Sequence, residues 1–189
     1  MLRLRVTRTG LVMIAAAILA GGVYAAVLAR PDVAIVTAWF LVALTFTWGG
    51  FVRQLRPREY RLYVGVTLAF PVVEFALKWL MARDAWRDWW FWLNRIEHWA
   101  WMTGTVVLLY PAFRPYFRTL PIGVSLVMVL GLACLVGNLN EFWEYARRVT
   151  LLNADRTCCP AFYADTLQDM IVNVAGGLTG FLLLRRASR

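Results

Sequence analysis

Apolar stretches close to the length of a bilayer crossing recur along the whole chain, and only short arginine-bearing segments separate them. A helix needs about 20 predominantly apolar residues to cross the hydrocarbon core, and runs of about 18 or more mark such spans. The runs are Leu11 to Ala29, Val33 to Val52, Leu62 to Met81, Phe91 to Tyr110, Ile122 to Tyr145 and Asp165 to Leu184. Hydrophobic residues make up 61% of the chain, where a soluble domain carries roughly 45–50%. The pattern predicts an all-α fold: an integral membrane bundle of about six transmembrane helices, forming a single multi-pass domain over residues 1–189. A cleaved signal peptide competes for the first run, because Val23-Tyr24-Ala25 resembles a small-residue cleavage site. That run exceeds the about 7–15 residues of a signal core, so it reads as a retained helix.

The net charge of +9 would suggest nucleic acid in a soluble protein, but no recognition motif accompanies it. The arginines fall between apolar runs, as topology signals do. One histidine and three cysteines exclude most zinc frameworks, which need about four clustered Cys/His ligands. Arg3, Arg5, Arg8, Arg53, Arg56, Arg58, Arg61, Arg114, Arg118, Arg185, Arg186 and Arg189 fall at one set of span ends; the other set is poorer. The richer set is expected to be cytoplasmic, with both termini inside and the chain in the cell (inner) membrane among its lipids. The loop carrying Cys158 and Cys159 then lies outside.

With that topology, Glu74 and Lys78, Asn94 and His98, Glu141 and Glu144, and Asp165 and Asp169 fall in the outer part of the membrane. No comparable polar set is expected in the inner half. Ionisable groups at the edge of apolar spans are costly and read as functional. Cys134, Asn138, Glu141, Tyr145 and Arg148 follow three- and four-residue steps, so they are expected on one helical stripe, with Glu144 at its border. Asp165, Asp169, Asn173, Gly176 and Gly180 form another stripe. Asp165 has a plain explanation as an N-cap, and the glycines as a close helix contact that also allows a homo-oligomer. Asp169 and Asn173 lie too far into the run for capping. Glu74 and Lys78 have the i,i+4 spacing that lets them neutralise each other. His98 among carboxylates makes a plausible divalent-metal site, and the oxygen-rich set favours Mg, Mn or Ca.

At these residues the chain resembles the uncharacterised bacterial inner-membrane family typified by YjdF. That family carries Asp-Arg-x-x-His-Phe, then Glu-x-x-Glu, then Asp-Thr-x-x-Asp-Met with glycines a few residues on. Here the corresponding residues are Asn94-Arg95-Ile96-Glu97-His98-Trp99, then Glu141-Phe142-Trp143-Glu144, then Asp165-Thr166-Leu167-Gln168-Asp169-Met170, followed by Gly176 and Gly177. Asn94 stands where the family has Asp, which removes one anionic group. The resemblance covers roughly the second half of the chain and implies a small multi-span membrane protein. A weaker likeness links Asn140-Glu141-x-x-Glu144 and Asp165-x-x-x-Asp169 to the acidic motifs of membrane prenyltransferases, an analogy only.

Three functions fit these residues. The first is a divalent-metal-dependent membrane hydrolase or transferase acting on a lipid or a lipid-linked phosphate or ester. In it His98, Glu141, Asp165 and Asp169 are ligands, Glu144 is the general base and Asn173 orients the substrate. The second is a proton- or cation-coupled transporter using the same carboxylates. The third is a structural membrane subunit, in which the acids pair with Arg95, Arg147 or Lys78.

Overall fold

A computed structural model describes residues 18–19, 31–151 and 160–189. The first apolar run lies almost entirely outside the described residues, as does the loop with Cys158 and Cys159. All regular structure among the described residues is helical. The helices are α1 (Pro31–Trp48), α2 (Pro57–Met81), α3 (Trp90–Thr119), α4 (Ile122–Leu151) and α5 (Pro160–Ala187). Short 3-10 turns at Phe51–Gln54 and Asp84–Trp89 link the first three. Gly50, at φ 76°, lets the chain leave α1 in the left-handed region that side chains avoid.

Three stretches are long and apolar enough to cross a membrane: Pro57–Met81, Ile122–Ala146 and Ala164–Ala187. Val33–Trp48 is a shorter apolar helix. At 30 residues, about 45 Å, α3 is the longest match to an expected span that falls outside this class. Its Trp, Thr, Pro and charged residues lower its hydropathy. It can carry them because it is the central helix, packed against all four others and most extensively against α5. Nearly half of its residues, Arg95, Glu97 and His98 among them, are buried in the bundle.

The short segment expected to separate the spans ending at Tyr110 and starting at Ile122 is instead mostly helix, since α3 runs through Pro111 and Pro115. A proline inside a helix strips the N–H that the carbonyl four residues earlier would accept. Neighbouring side chains compensate at two such carbonyls. The Trp39 indole N–H donates to Thr67 O (3.1 Å), freed by Pro71. The Gln54 amide donates to Pro111 O (3.1 Å), freed by Pro115. At the end of α3, where last-turn carbonyls have no partner within the helix, the Ser125 hydroxyl reaches Phe117 O (3.3 Å). In lipid a bare carbonyl is costly, so each such capture helps tie one helix to the next.

Two apolar clusters fill the bundle. Met102, Val106, Tyr110, Phe117, Val129, Ala133, Phe181 and Leu184 join α3, α4 and α5. Trp39, Ala43, Tyr63, Phe70 and Leu108 join α1, α2 and α3, with the Trp39 and Phe70 rings stacked at 4.0 Å. The α3–α5 contact is closest at the glycine stripe. A Cβ on Gly176 would lie 2.6 Å from Trp99 O, and one on Gly180 would lie 2.9 Å from Val106 Cβ. The Thr103 hydroxyl donates to Gly176 O at 3.1 Å.

The arginine-rich end of the bundle carries a polar set of its own, outside the expected spans. Glu59, 1% exposed, opens α2 at its third position and accepts the Arg56 backbone N–H at 2.7 Å. Arg114 Nε (2.8 Å) and the Tyr110 hydroxyl (2.8 Å) donate to the same carboxylate, and Ser188 Oγ lies 3.1 Å from it. This knot binds the start of α2, the end of α3 and the residue just past α5.

Candidate functional site

The polar residues of the other end come together where α3, α4 and α5 converge and α2 closes one side. Arg95 is the hub. Its guanidinium lies 4.5 Å over the Phe91 ring and is itself buried. Arg95 Nη1 donates to Asp169 Oδ1 at 2.6 Å. Arg95 Nη2 donates to Asp165 Oδ1 at 2.8 Å and to Gln168 Oε1 at 2.7 Å. A planar fork of donors suits this geometry, because residues three and four apart on α5 present acceptors on one face. Asn94 Nδ2 adds a long contact of 3.4 Å to Asp169 Oδ1.

Asp169 is 2% exposed and spends one oxygen on these donors. Its other oxygen, Oδ2, stands 3.6 Å from His98 Nε2. His98 is one turn beyond Arg95 on α3, and it also approaches α4. Ligand atoms of His98, Glu141 and Glu144 all lie within 4.8 Å of one another, a spacing that one cation could bridge. Asn140 Nδ2 holds Glu144 Oε1 at 3.0 Å across one turn of α4. Asn173 fills the space beside the imidazole, and its amide lies so close to α4 that a Cβ on Gly137 would come within 2.7 Å of Nδ2.

Several atoms here are buried without a hydrogen-bond partner among the described residues: His98 Nδ1, both amide atoms of Asn173, Glu97 Oε2 and Arg95 Nε. Asn173 is the polar neighbour of the imidazole, and the space around these atoms is where a ligand or water would complete their hydrogen bonding. Beside them lies a cavity of ≈ 170 Å³, with Lys78, Asn94, Glu97, His98, Asn140 and Glu144 as its polar lining. Trp90, Trp101, Trp143 and Ile35 are its apolar lining. Lys78 Nζ forms an ion pair with Glu97 Oε1 at 2.5 Å, linking α2 to α3.

The expected ligands therefore fall into two groups. His98 and Glu141 share one group with Glu144, whereas Asp165 and Asp169 are gathered on Arg95. Asn173 lies between the groups. On α5 the expected stripe is the packed one, with Asp169, Asn173, Gly176 and Gly180 all buried and Asp165 half-buried. On α4 it is rotated: Cys134 and Tyr145 are exposed, and Ala133, Gly137 and Glu141 form the buried line. Lys78 engages Glu97 across the helix interface, a partner that the i,i+4 spacing with Glu74 did not suggest. Sequence reasoning gave Arg95 no part in the site beyond neutralising an acid. Its position three residues before His98, on the same helical face, was the available signal. Asn140 was missed as the residue that holds Glu144, although an i,i+4 amide–carboxylate pair is readable in sequence. Comparison with protein-family models, curated proteins and solved structures finds no match.

Proposed function

We propose that the chain is a multi-pass enzyme of the cell inner membrane, with about six spans and both termini cytoplasmic. Its outward pocket takes up a divalent cation (Mg, Mn or Ca) and acts on a lipid or a lipid-linked phosphate or ester. One observation carries the reading: a buried imidazole and two glutamates bring ligand atoms within 4.8 Å of one another. This happens in a chain with several helices apolar enough to cross a membrane. A bound cation would polarise a phosphoryl or carbonyl oxygen and ease deprotonation of a water.

The surrounding residues suit such a substrate. His98 and Glu141 hold the ion and leave positions open for water and substrate oxygen, as hard cations with few protein ligands do. Glu144, on the cavity wall and fixed by Asn140, accepts the proton of the attacking water. Asn173, beside the imidazole, orients the reacting group. The tryptophans lining the cavity suit an apolar stem, and Lys78 among its lining residues suits an anionic head.

Elemental analysis of detergent-purified protein tests the reading. About one equivalent of divalent metal is expected, lost in His98→Ala and Glu141→Gln, with a melting temperature that falls on chelation and recovers on metal addition. Metal-free protein whose melting ignores chelators would overturn it. The ion pairs of Arg95 and Lys78 favour a second reading, a structural subunit whose polar cluster holds helices together. There Arg95→Ala is the damaging change and metals have no effect.

A further inference from the structure

We infer that Asp169 is a positioning residue for His98, itself clamped by Arg95, and that Nδ1 is the imidazole nitrogen presented to the cation. This rests on the metal reading above and deepens it. It moves Asp165 and Asp169 from the ligand set to the layer behind it.

The two oxygens of Asp169 do different things. Oδ1 is occupied by Arg95 at 2.6 Å, with Asn94 at 3.4 Å. Oδ2 faces His98 Nε2 at 3.6 Å. A metal-bound histidine almost always donates its second ring N–H to a carboxylate, carbonyl or water, and this partner fixes the tautomer and the ring plane. Here the carboxylate sits on the Nε2 side, so Nε2 is the nitrogen that carries the hydrogen. That leaves Nδ1 with its lone pair, buried and without a hydrogen-bond partner among the described residues. A small rotation of the ring as a cation binds would close Nε2···Oδ2 to an ordinary hydrogen bond of about 2.8 Å.

Arg95 makes this arrangement stable. A carboxylate 2% exposed in an apolar bundle is costly without a counter-charge, and Arg95 supplies one through a rigid fork that also takes Asp165 and Gln168. The fork fixes Asp169 from behind, so its remaining oxygen has one direction to point. Asp165 is held by the other guanidinium nitrogen, Nη2, rather than by the one that clamps Asp169, so its loss is expected to matter less.

Titration of the full chain in detergent with Co2+, which reports its ligand geometry by visible absorption, tests the assignment. His98→Ala is expected to abolish binding. Asp169→Asn is expected to weaken Co2+ about 10–100-fold and to change the absorption spectrum. Asp169→Glu should recover part of the affinity, and Asp165→Asn should leave the spectrum unchanged. A purely structural Asp169 would lower the metal-free melting temperature and leave the spectrum of the bound ion as it was, which would overturn the inference while keeping the metal site. Abolition by Asp169→Asn as complete as by His98→Ala would make Asp169 a ligand and overturn it too. If the wild-type protein takes up no Co2+, the metal reading itself fails. Should Asp169→Asn not fold, Asp169→Glu carries the test: unaltered affinity and an unaltered spectrum would then overturn the assignment.

Discussion

At the scale of single residues, proline shapes this bundle as much as charge does. Pro71 and Pro115 each free a carbonyl, and Trp39 and Gln54 each supply a donor from elsewhere in the fold. Phe at position 39 loses the indole N–H together with buried ring volume that packs against Gly104, so the hydrogen bond is isolated only by comparing two backgrounds. Trp39→Phe is expected to cost about 1 kcal/mol for the hydrogen bond plus a cavity contribution in a reversible unfolding measurement in detergent. In a Pro71→Ala background, residue 71 regains an N–H for Thr67 O, so the same change should cost clearly less. Equal costs in the two backgrounds would mean the indole is not capping the carbonyl that proline frees. Glu59 carries a related lesson. Between Arg56, Arg58 and Arg61 it reads as loop charge, yet it is among the most buried side chains in the bundle. Pro57 at the first helical position and Glu59 at the third were the helix-start signal that sequence offered.

At the scale of elements, the α3–α5 contact sets how near the two halves of the polar site can come. Gly176 faces backbone: a Cβ would meet Trp99 O at 2.6 Å and Thr103 N at 3.2 Å, and neither can swing aside as a flexible side chain could. Gly176→Leu is expected to cost about 1–3 kcal/mol or more through overpacking and to lower the melting temperature sharply. Gly131→Leu, where nothing lies within 4 Å of the added Cβ, is the matched control. Equal melting temperatures for Gly176→Leu and wild type would refute the close contact. This element was legible: Asp169, Asn173, Gly176 and Gly180 step by three and four and include the small residues that mark a packed face. The stripe on α4 was not, for a physical reason. Lipid accepts apolar side chains as readily as the core does, so hydropathy cannot tell the buried side of a membrane helix from the exposed one. Cys134 and Tyr145 fitted the period yet face outward, while Ala133 and Gly137 mark the true interface. The pairing of Arg95 with Asp169 joins residues 74 apart, and no local periodicity encodes such a contact. Charge spacing suggested that acids gather here without saying which of them a guanidinium would claim.

At the scale of the whole molecule, the two polar clusters occupy opposite ends. Glu59 and Lys78 lie on one helix, about 28 Å apart at 1.5 Å per residue, close to the thickness of the hydrocarbon core. The Glu59 end also collects the basic segments. Arg56 donates to Ser188 O at 3.0 Å and Arg114 pairs with Glu59, so the segments bearing Arg53, Arg56, Arg58, Arg61, Arg114, Arg118, Arg185, Arg186 and Arg189 share one side. The excess of arginine predicts that this side faces the cytoplasm and that the His98 cluster opens outward. Single cysteines in a background with Cys134, Cys158 and Cys159 replaced by Ala can decide it. Asp88→Cys, exposed beside the start of α3, is expected to react with a membrane-impermeant thiol reagent in intact spheroplasts. Arg189→Cys should react only after lysis. The opposite pattern would place the pocket on the cytoplasmic side, where soluble anionic metabolites rather than exported lipid-linked groups would reach it. Labelling of both positions in intact spheroplasts would mean that the two ends do not lie across a membrane from each other, and would remove the premise of an outward site.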